Sequence, residues 1–307
     1  MDDIQKELVR SLVGASAGYG KAGLASMDYR NPQVVIGNLA IAIELLLKAF
    51  IAKRSLLLLF KGLPLELRCA LAAPRSMPKS FRRMPYEIDL RTSSYKSLEL
   101  EEAISMFGVF CPEIKKRLSA HLRFLSRHRN TSVHAVLPDC QEYEMQRTAF
   151  LFLMLVDHIS KNDPELAKYV FWSEKKKHEK FLARFDEERL NRVHTKVEKA
   201  REKAKGLTEK LSIGPEDWES YPIECPVCGS DGILTGETIP EVDIDEDGLG
   251  GTLLLFNGET FECEQCGLAL EDYDEMNIAG VNPEIDRSDE AQQWEEDNYA
   301  DYDYEPW

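Results

Sequence analysis

Ile223-Glu224-Cys225-Pro226-Val227-Cys228-Gly229 and Phe261-Glu262-Cys263-Glu264-Gln265-Cys266-Gly267 repeat one pattern, a C-x-x-C pair closed by glycine, with 34 residues between Cys228 and Cys263. Two thiolates two residues apart can turn toward one ion, and the glycine permits the tight backbone of such a knuckle. Two knuckles complete a tetrahedral set of four sulfurs. Cys225, Cys228, Cys263 and Cys266 are therefore expected to hold one structural zinc ion. All four positions would be filled by protein, leaving none for catalysis. A redox dithiol needs one pair rather than two.

Outward from the cysteines, Ile233 to Phe261 is strand-like, with turn signals at Asp247-Gly248 and Asn257-Gly258. This gives a small β zinc ribbon over residues 215–278. Asp243-Ile244-Asp245-Glu246-Asp247-Gly248 opens like a calcium loop, but its twelfth position is Leu254 rather than a bidentate glutamate, so a solvated acidic hairpin loop is expected. Residues 279–307 are acidic and poor in aliphatic side chains, the composition of a tail that is disordered alone.

Charge is distributed unevenly. From Pro215 to Trp307 there are 28 acidic residues and one basic residue, Arg287, a net of −27, whereas residues 1–214 hold 26 acids and 37 bases, a net of +11. A basic part of this size points to a polyanionic partner. The acidic ribbon and tail argue against nucleic acid at that end and leave room there for a protein partner.

Upstream, residues 173–214 read as a long charged helix or linker. Leu190, Val193, Val197, Ala200, Ala204, Leu207 and Leu211 step by three and four, a short heptad seam. Lys196, Arg201, Lys203 and Lys210 flank it and would repel in a parallel homodimer. Packing against the helical domain, or contact with an acidic partner, is expected instead.

Residues 1–172 carry helical periodicity, so the fold class is mainly α, an up-and-down helical bundle, followed by the charged helix and the ribbon. A short helix is expected from Asp2 to Val13, then a Gly/Ser-rich stretch from Gly14 to Ser26. Asn31-Pro32 is a helix start signal, opening a central helix to Arg54 that is apolar nearly all round. Within it, Glu44 and Lys48 are four apart and read as a simple ion pair. Residues 61–97 form a long basic loop with Arg75, Lys79, Arg82 and Arg83. Helices are expected from Ser97 to Phe110, from Pro112 to about Arg129, and from Gln141 to Asn162. Cys69, Cys111 and Cys140 have no ligand spacing and read as small buried apolar groups.

No basic leader precedes an apolar stretch, and Asn38, Glu44 and Lys48 interrupt the most apolar segment. A cytoplasmic location with no membrane association is expected.

Ser126-Arg127-His128-Arg129-Asn130-Thr131-Ser132-Val133-His134 is the chemically richest segment of the helical part. An arginine can neutralise a phosphate and stabilise charge on a pentavalent phosphorane. A histidine near neutrality can move a proton. RNA carries its own nucleophile, the 2′-hydroxyl, so an Arg/His pair suffices to cut it without a metal. A polar cluster at a helix C-terminus is also a common, purely structural feature.

Arg129-Asn130-x-x-x-His134 resembles the R-N-x-x-x-H motif of HEPN ribonucleases, helical-bundle proteins that include prokaryotic toxins and CRISPR-associated effectors. The helix containing Leu39 to Ala49 and the one from Ala149 to Ile159 resemble that family's core helices. The resemblance covers about residues 5–170. It implies a homodimer with a composite site at the interface, RNA as substrate, and products ending in 2′,3′-cyclic phosphate. Arg129 would contact the scissile phosphate, His134 would serve in proton transfer or phosphate contact, and Asn130 would orient Arg129 or the ribose. A toxin or antiviral defence effector is the implied role. Some family members bind RNA without cutting it, so a non-catalytic RNA-binding or protein-adaptor module is the alternative. Arg127 and His128 read as solvated neighbours.

Overall fold

The structure is a computed structural model that describes residues 3–29, 31–60, 96–134, 142–163, 166, 175–207, 209–212, 218–244 and 250–299, with side chains described among these except at 3–4, 128–134, 241–244, 250–252, 295 and 298–299. The basic loop expected at 61–97 lies almost wholly outside them, as do Cys69 and Cys140. Helices α1 (Asp3–Ser26), α2 (Pro32–Arg54), α3 (Leu56–Leu59), α4 (Leu100–Phe110), α5 (Pro112–His134), α6 (Glu142–Asn162) and α7 (Lys175–Ala204) come first. Strands β1 (Ser220–Glu224), β2 (Asp231–Ile244), β3 (Gly250–Cys263) and β4 (Leu268–Leu270) follow, then α8 (Tyr273–Ala279), β5 (Glu284–Asp286) and α9 (Ala291–Tyr299). The chain is thus mainly helical with a small antiparallel sheet near its C-terminus.

The chain separates into two compact units, Met1–Lys115 with His121–Phe185 and Lys116–Ala120 with Asp186–Trp307. The division falls inside α7 rather than at the expected boundaries, 172 and 214.

In the helical unit α2 is central. Asn31 caps it, its side-chain oxygen accepting from the Val34 N–H at 3.3 Å, with Pro32 at the first helical position. It packs against α1, α4 and α6. Its length and mean hydropathy of 2.1 would suffice to cross a membrane, but 78% of that window is buried inside the protein. Phe50 and Phe107 meet edge to face with centroids 5.1 Å apart, and Phe150 stacks on Phe185 at 4.5 Å. Such pairs add about 0.5–1.5 kcal/mol beyond the area they bury.

Glu44 and Lys48 do pair, Nζ to Oε1 at 2.6 Å, and Lys48 also donates to Ser97 Oγ at 3.1 Å. Both residues are buried. This is a desolvated pair rather than the surface pair that spacing alone suggests.

The stretch expected to interrupt the first helix does not. α1 runs unbroken through Gly14, Gly18, Gly20 and Gly23. A Cβ at Gly20 would come 2.4 Å from the Phe152 ring, and one at Gly23 would come 2.7 Å from Leu39 Cγ. These two glycines let α1 approach α6 and α2 closely, which outweighs their poor helix propensity. Helix α4 begins at Leu100 rather than at Ser97. The Glu102 carboxylate accepts from the Glu99 N–H at 2.8 Å at its start. Cys111 ends it, N–H to the Phe107 carbonyl at 2.9 Å, and is half-buried rather than fully buried.

In the second unit the strand order is β1-β2-β3-β4, antiparallel, with β5 pairing β3. β2 and β3 form a long hairpin whose register slips between Thr235 and Gly236. Asn257-Gly258 is not a turn but lies inside β3, at that irregularity. A Cβ at Gly236 would sit 2.0 Å from the Asn257 carbonyl oxygen and one at Gly258 would sit 2.5 Å from Leu234. The glycines here serve close cross-strand approach.

The core of this unit joins Leu234, Phe256, Phe261, Leu268, Leu270 and Met276 to Val193 and Ala200 of α7, with Val197 and Ala204 packed against them. The heptad seam is therefore half used: its middle residues complete the ribbon's core, while Leu190, Leu207 and Leu211 stay exposed. Regular secondary structure in this unit also extends beyond the expected limit at 278. Residues 284–286 add strand β5, and α9 follows. Arg287, the one base after residue 214, is 3% exposed. Its guanidinium lies 4.4 Å from the Trp218 ring centroid and pairs with Glu290, Nη2 to Oε2 at 2.6 Å. Trp218 donates to Asp297 at 3.1 Å, tying α9 to the segment that leads into β1.

Candidate metal centre and the Arg–His helix

The turn between β1 and β2 carries Cys225 and Cys228, while Cys263 ends β3 and Cys266 lies in the turn that leads to β4. The two knuckles match in detail. Gly229 N–H donates to the Cys225 carbonyl at 2.9 Å, and Gly267 N–H donates to the Cys263 carbonyl at 2.8 Å. Both glycines are left-handed, with φ of 70° and 71°, the conformation that favours glycine.

The four sulfurs lie within 4.8 Å of one another. Cys225 and Cys266 are 3.6 Å apart, and Cys228 and Cys263 are 3.5 Å apart. A regular tetrahedron of sulfurs at about 2.3 Å from zinc has edges of about 3.8 Å. The cluster fits a metal ion with four thiolate ligands and no open position.

Burial pushes the Cys225 thiol up to about 11 and raises Cys266 as well. Burial also opposes ionisation of Cys228, but hydrogen bonds from Ser230 and the neighbouring thiols more than offset it and bring that thiol down to about 7. Four thiolates in one such place need a cation to hold them.

Two lysines stand over the knuckles, a feature that spacing did not reveal. The Lys203 ammonium would lie 2.7 Å from a Cβ on Gly267, and that of Lys210 would lie 2.7 Å from a Cβ on Gly229. Both follow from the course of the chain at the C-terminal end of α7. Lys210 also lies 3.8 Å from Glu224 Oε1. A tetrathiolate site holding a divalent cation would be net negative, and ammoniums at the knuckle glycines would offset part of that charge.

Of the flanking cations expected to meet an acidic partner, Lys196 meets one within the same unit, together with Arg192, which the seam did not single out. Arg192 Nε lies 3.0 Å from Glu275 Oε1, and Lys196 Nζ lies 2.9 Å from Glu275 Oε2. Arg189, 2% exposed, pairs with Asp186 and Asp274 and lies 3.7 Å from Asp272. Burial works against its charge, but these carboxylates more than offset it and hold it above the usual arginine range. Asp272 also caps α8, its Oδ1 accepting from the Glu275 N–H at 2.8 Å.

Helix α5 runs to His134, so Arg129, Asn130 and His134 fall in its last turns rather than just beyond a helix ending near Arg129. Their side chains, and that of His128, lie outside the described residues. Arg127 is exposed, as expected. Two turns earlier on α5, His121 is 1% exposed and accepts from Arg147 Nε at 2.7 Å through Nδ1. Nothing in the spacing of these two residues marked them, because they are distant in sequence and meet only through the packing of α5 on α6.

Comparison of the chain with known protein families, with curated proteins and with solved structures finds no match.

Proposed function

We propose that the chain is a metal-independent endoribonuclease of HEPN type whose second unit is stabilised by one structural zinc ion. The observation that carries the catalytic reading is the segment Arg129-Asn130-x-x-x-His134 within the last turns of a helix in a mainly helical unit. Support for zinc comes from the four-sulfur cluster.

In this reading His134 takes the proton from a ribose 2′-hydroxyl. The oxygen attacks the adjacent phosphorus, and Arg129 offsets the charge on the pentavalent phosphorane. The bond to the 5′-oxygen breaks and that oxygen takes up a proton, leaving a 2′,3′-cyclic phosphate and a 5′-hydroxyl. Asn130 orients Arg129 or the ribose. Two protomers bring their motifs together at a homodimer interface.

Arg129→Ala and His134→Ala test the assignment. Each is expected to lower RNA cleavage by about 10²–10³ with the fold intact. Full activity in both variants overturns it. The net charge of −27 after residue 214 favours a second reading, a protein adaptor in which ribbon and C-terminal segment bind a partner protein and the helical unit binds RNA without cutting it.

A further inference from the structure

Helix α7 turns an unusual face toward a cavity in the helical unit. Lys177, Lys180, Phe181 and Arg184 are spaced i, i+3, i+4 and i+7, the spacing of a core-facing apolar stripe, yet three of the four are cations. All four line a cavity of about 560 Å³. Its deeper wall is apolar, formed by Val13 of α1, Leu46 of α2, and Met145, Phe152, Leu153 and Val156 of α6. Val13, Leu46 and Leu153 are 1% exposed, and Met145, Val156 and Phe152 keep only a few per cent of their surface. Lys21 adds a fourth cation to the lining, against two acids, Asp28 and Glu142. Lys21, Lys177, Lys180 and Arg184 are all exposed, so the positive charge belongs to the mouth and the apolar surface to the interior.

Four cations against two acids give the mouth a net positive charge. The cavity's volume falls within the ordinary range of small-molecule sites, about 300–1,000 Å³. Apolar walls reward burial of a hydrocarbon body, and the cationic rim selects the sign of the headgroup. We propose that this cavity binds an amphipathic organic anion, with its apolar body between α1 and α6 and its carboxylate or phosphate head against Lys177, Lys180 and Arg184.

Calorimetry on the full, metal-loaded chain tests this with four probes below their micelle concentrations: dodecanoate, dodecyl phosphate, dodecyltrimethylammonium and inorganic phosphate. Dodecanoate or dodecyl phosphate is expected to bind one per chain, and which of them binds more tightly identifies the head. The ammonium and inorganic phosphate are expected to bind at least ten-fold more weakly. A Lys180→Glu/Arg184→Glu variant, altered only at exposed positions, is expected to lose at least ten-fold in affinity with an unchanged circular dichroism spectrum. Val156→Phe, which fills the apolar end, is expected to lower binding without altering the rim. Equal binding of the ammonium, wild-type affinity in both variants, or no binding of either amphipathic anion overturns the proposal.

Discussion

Lys196 of α7 donates to Glu275 of α8 at 2.9 Å, and the Glu275 side chain is fully buried. With Arg192 on its other oxygen and the Glu271 N–H at 3.0 Å, this carboxylate is satisfied from three sides. Neutralisation of the α7 cations by acids of the ribbon unit gives the charge asymmetry of the sequence a local structural meaning. Part of the basic helix meets its acidic counterpart in the same chain.

Glu275→Ala leaves Arg192 and Lys196 without their shared acceptor in a dry setting. On the order of 3 kcal/mol of stability is expected to be lost, read from urea denaturation of the metal-loaded chain. Glu275→Gln, which keeps the shape, is expected to lose less.

The pH dependence has a definite sign. Burial raises the affinity of Glu275 for a proton, but Lys196, the Glu271 N–H and Arg192 more than offset it and hold the carboxyl below its ordinary value. A depressed carboxyl contributes stability above the unfolded value, about 4.3, and that contribution fades as pH falls through the folded value. The stability gap between wild type and Glu275→Gln should therefore be full at pH 6–7 and shrink as pH falls below about 4.3. A gap that does not change with pH would remove the ion pairs from the account.

Lys203 and Lys210 stand over the two knuckle glycines. Lys203→Glu/Lys210→Glu is expected to weaken metal retention, because it replaces two ammoniums near a net-negative site with carboxylates. Chelator competition at fixed pH measures it. Cys263→Ser should abolish metal binding and, with it, the fold of the ribbon, visible as a zinc content falling from one per chain toward zero.

Gly236→Ala places a methyl 2.0 Å from the Asn257 carbonyl. Backbone must move, at a cost of about 1–3 kcal/mol, and the thermal midpoint of the ribbon should fall. Gly14→Ala, where nothing lies within 4 Å, should be neutral or slightly stabilising and serves as the control.

What could be read beforehand was local. Asn31-Pro32 announces a cap and a first helical position that interact within a few residues, and each C-x-x-C-Gly knuckle closes on itself. What could not be read depends on partners far along the chain. Gly20 and Gly23 look like helix breakers until Phe152 and Leu39 are seen against them. Asn257-Gly258 imitates a hairpin turn because the residues that serve tight turns also serve close strand approach. Arg287 and Trp218 lie 69 positions apart, so their stacking, which helps bring 284–299 onto the sheet, leaves no local trace in a segment whose composition reads as a tail. The seam of α7 was visible, but Val193, Val197, Ala200 and Ala204 fit a ribbon core as well as they would fit another helix.

End-group analysis of RNA after incubation with the purified, zinc-loaded chain, run with and without EDTA, decides whether the chain is a metal-independent ribonuclease. Fragments bearing 2′,3′-cyclic phosphate and 5′-hydroxyl ends are expected, formed equally in both samples and missing with Arg129→Ala. Fragments with 5′-phosphate ends, cleavage abolished by EDTA while the ribbon keeps its zinc, or intact RNA would contradict that assignment.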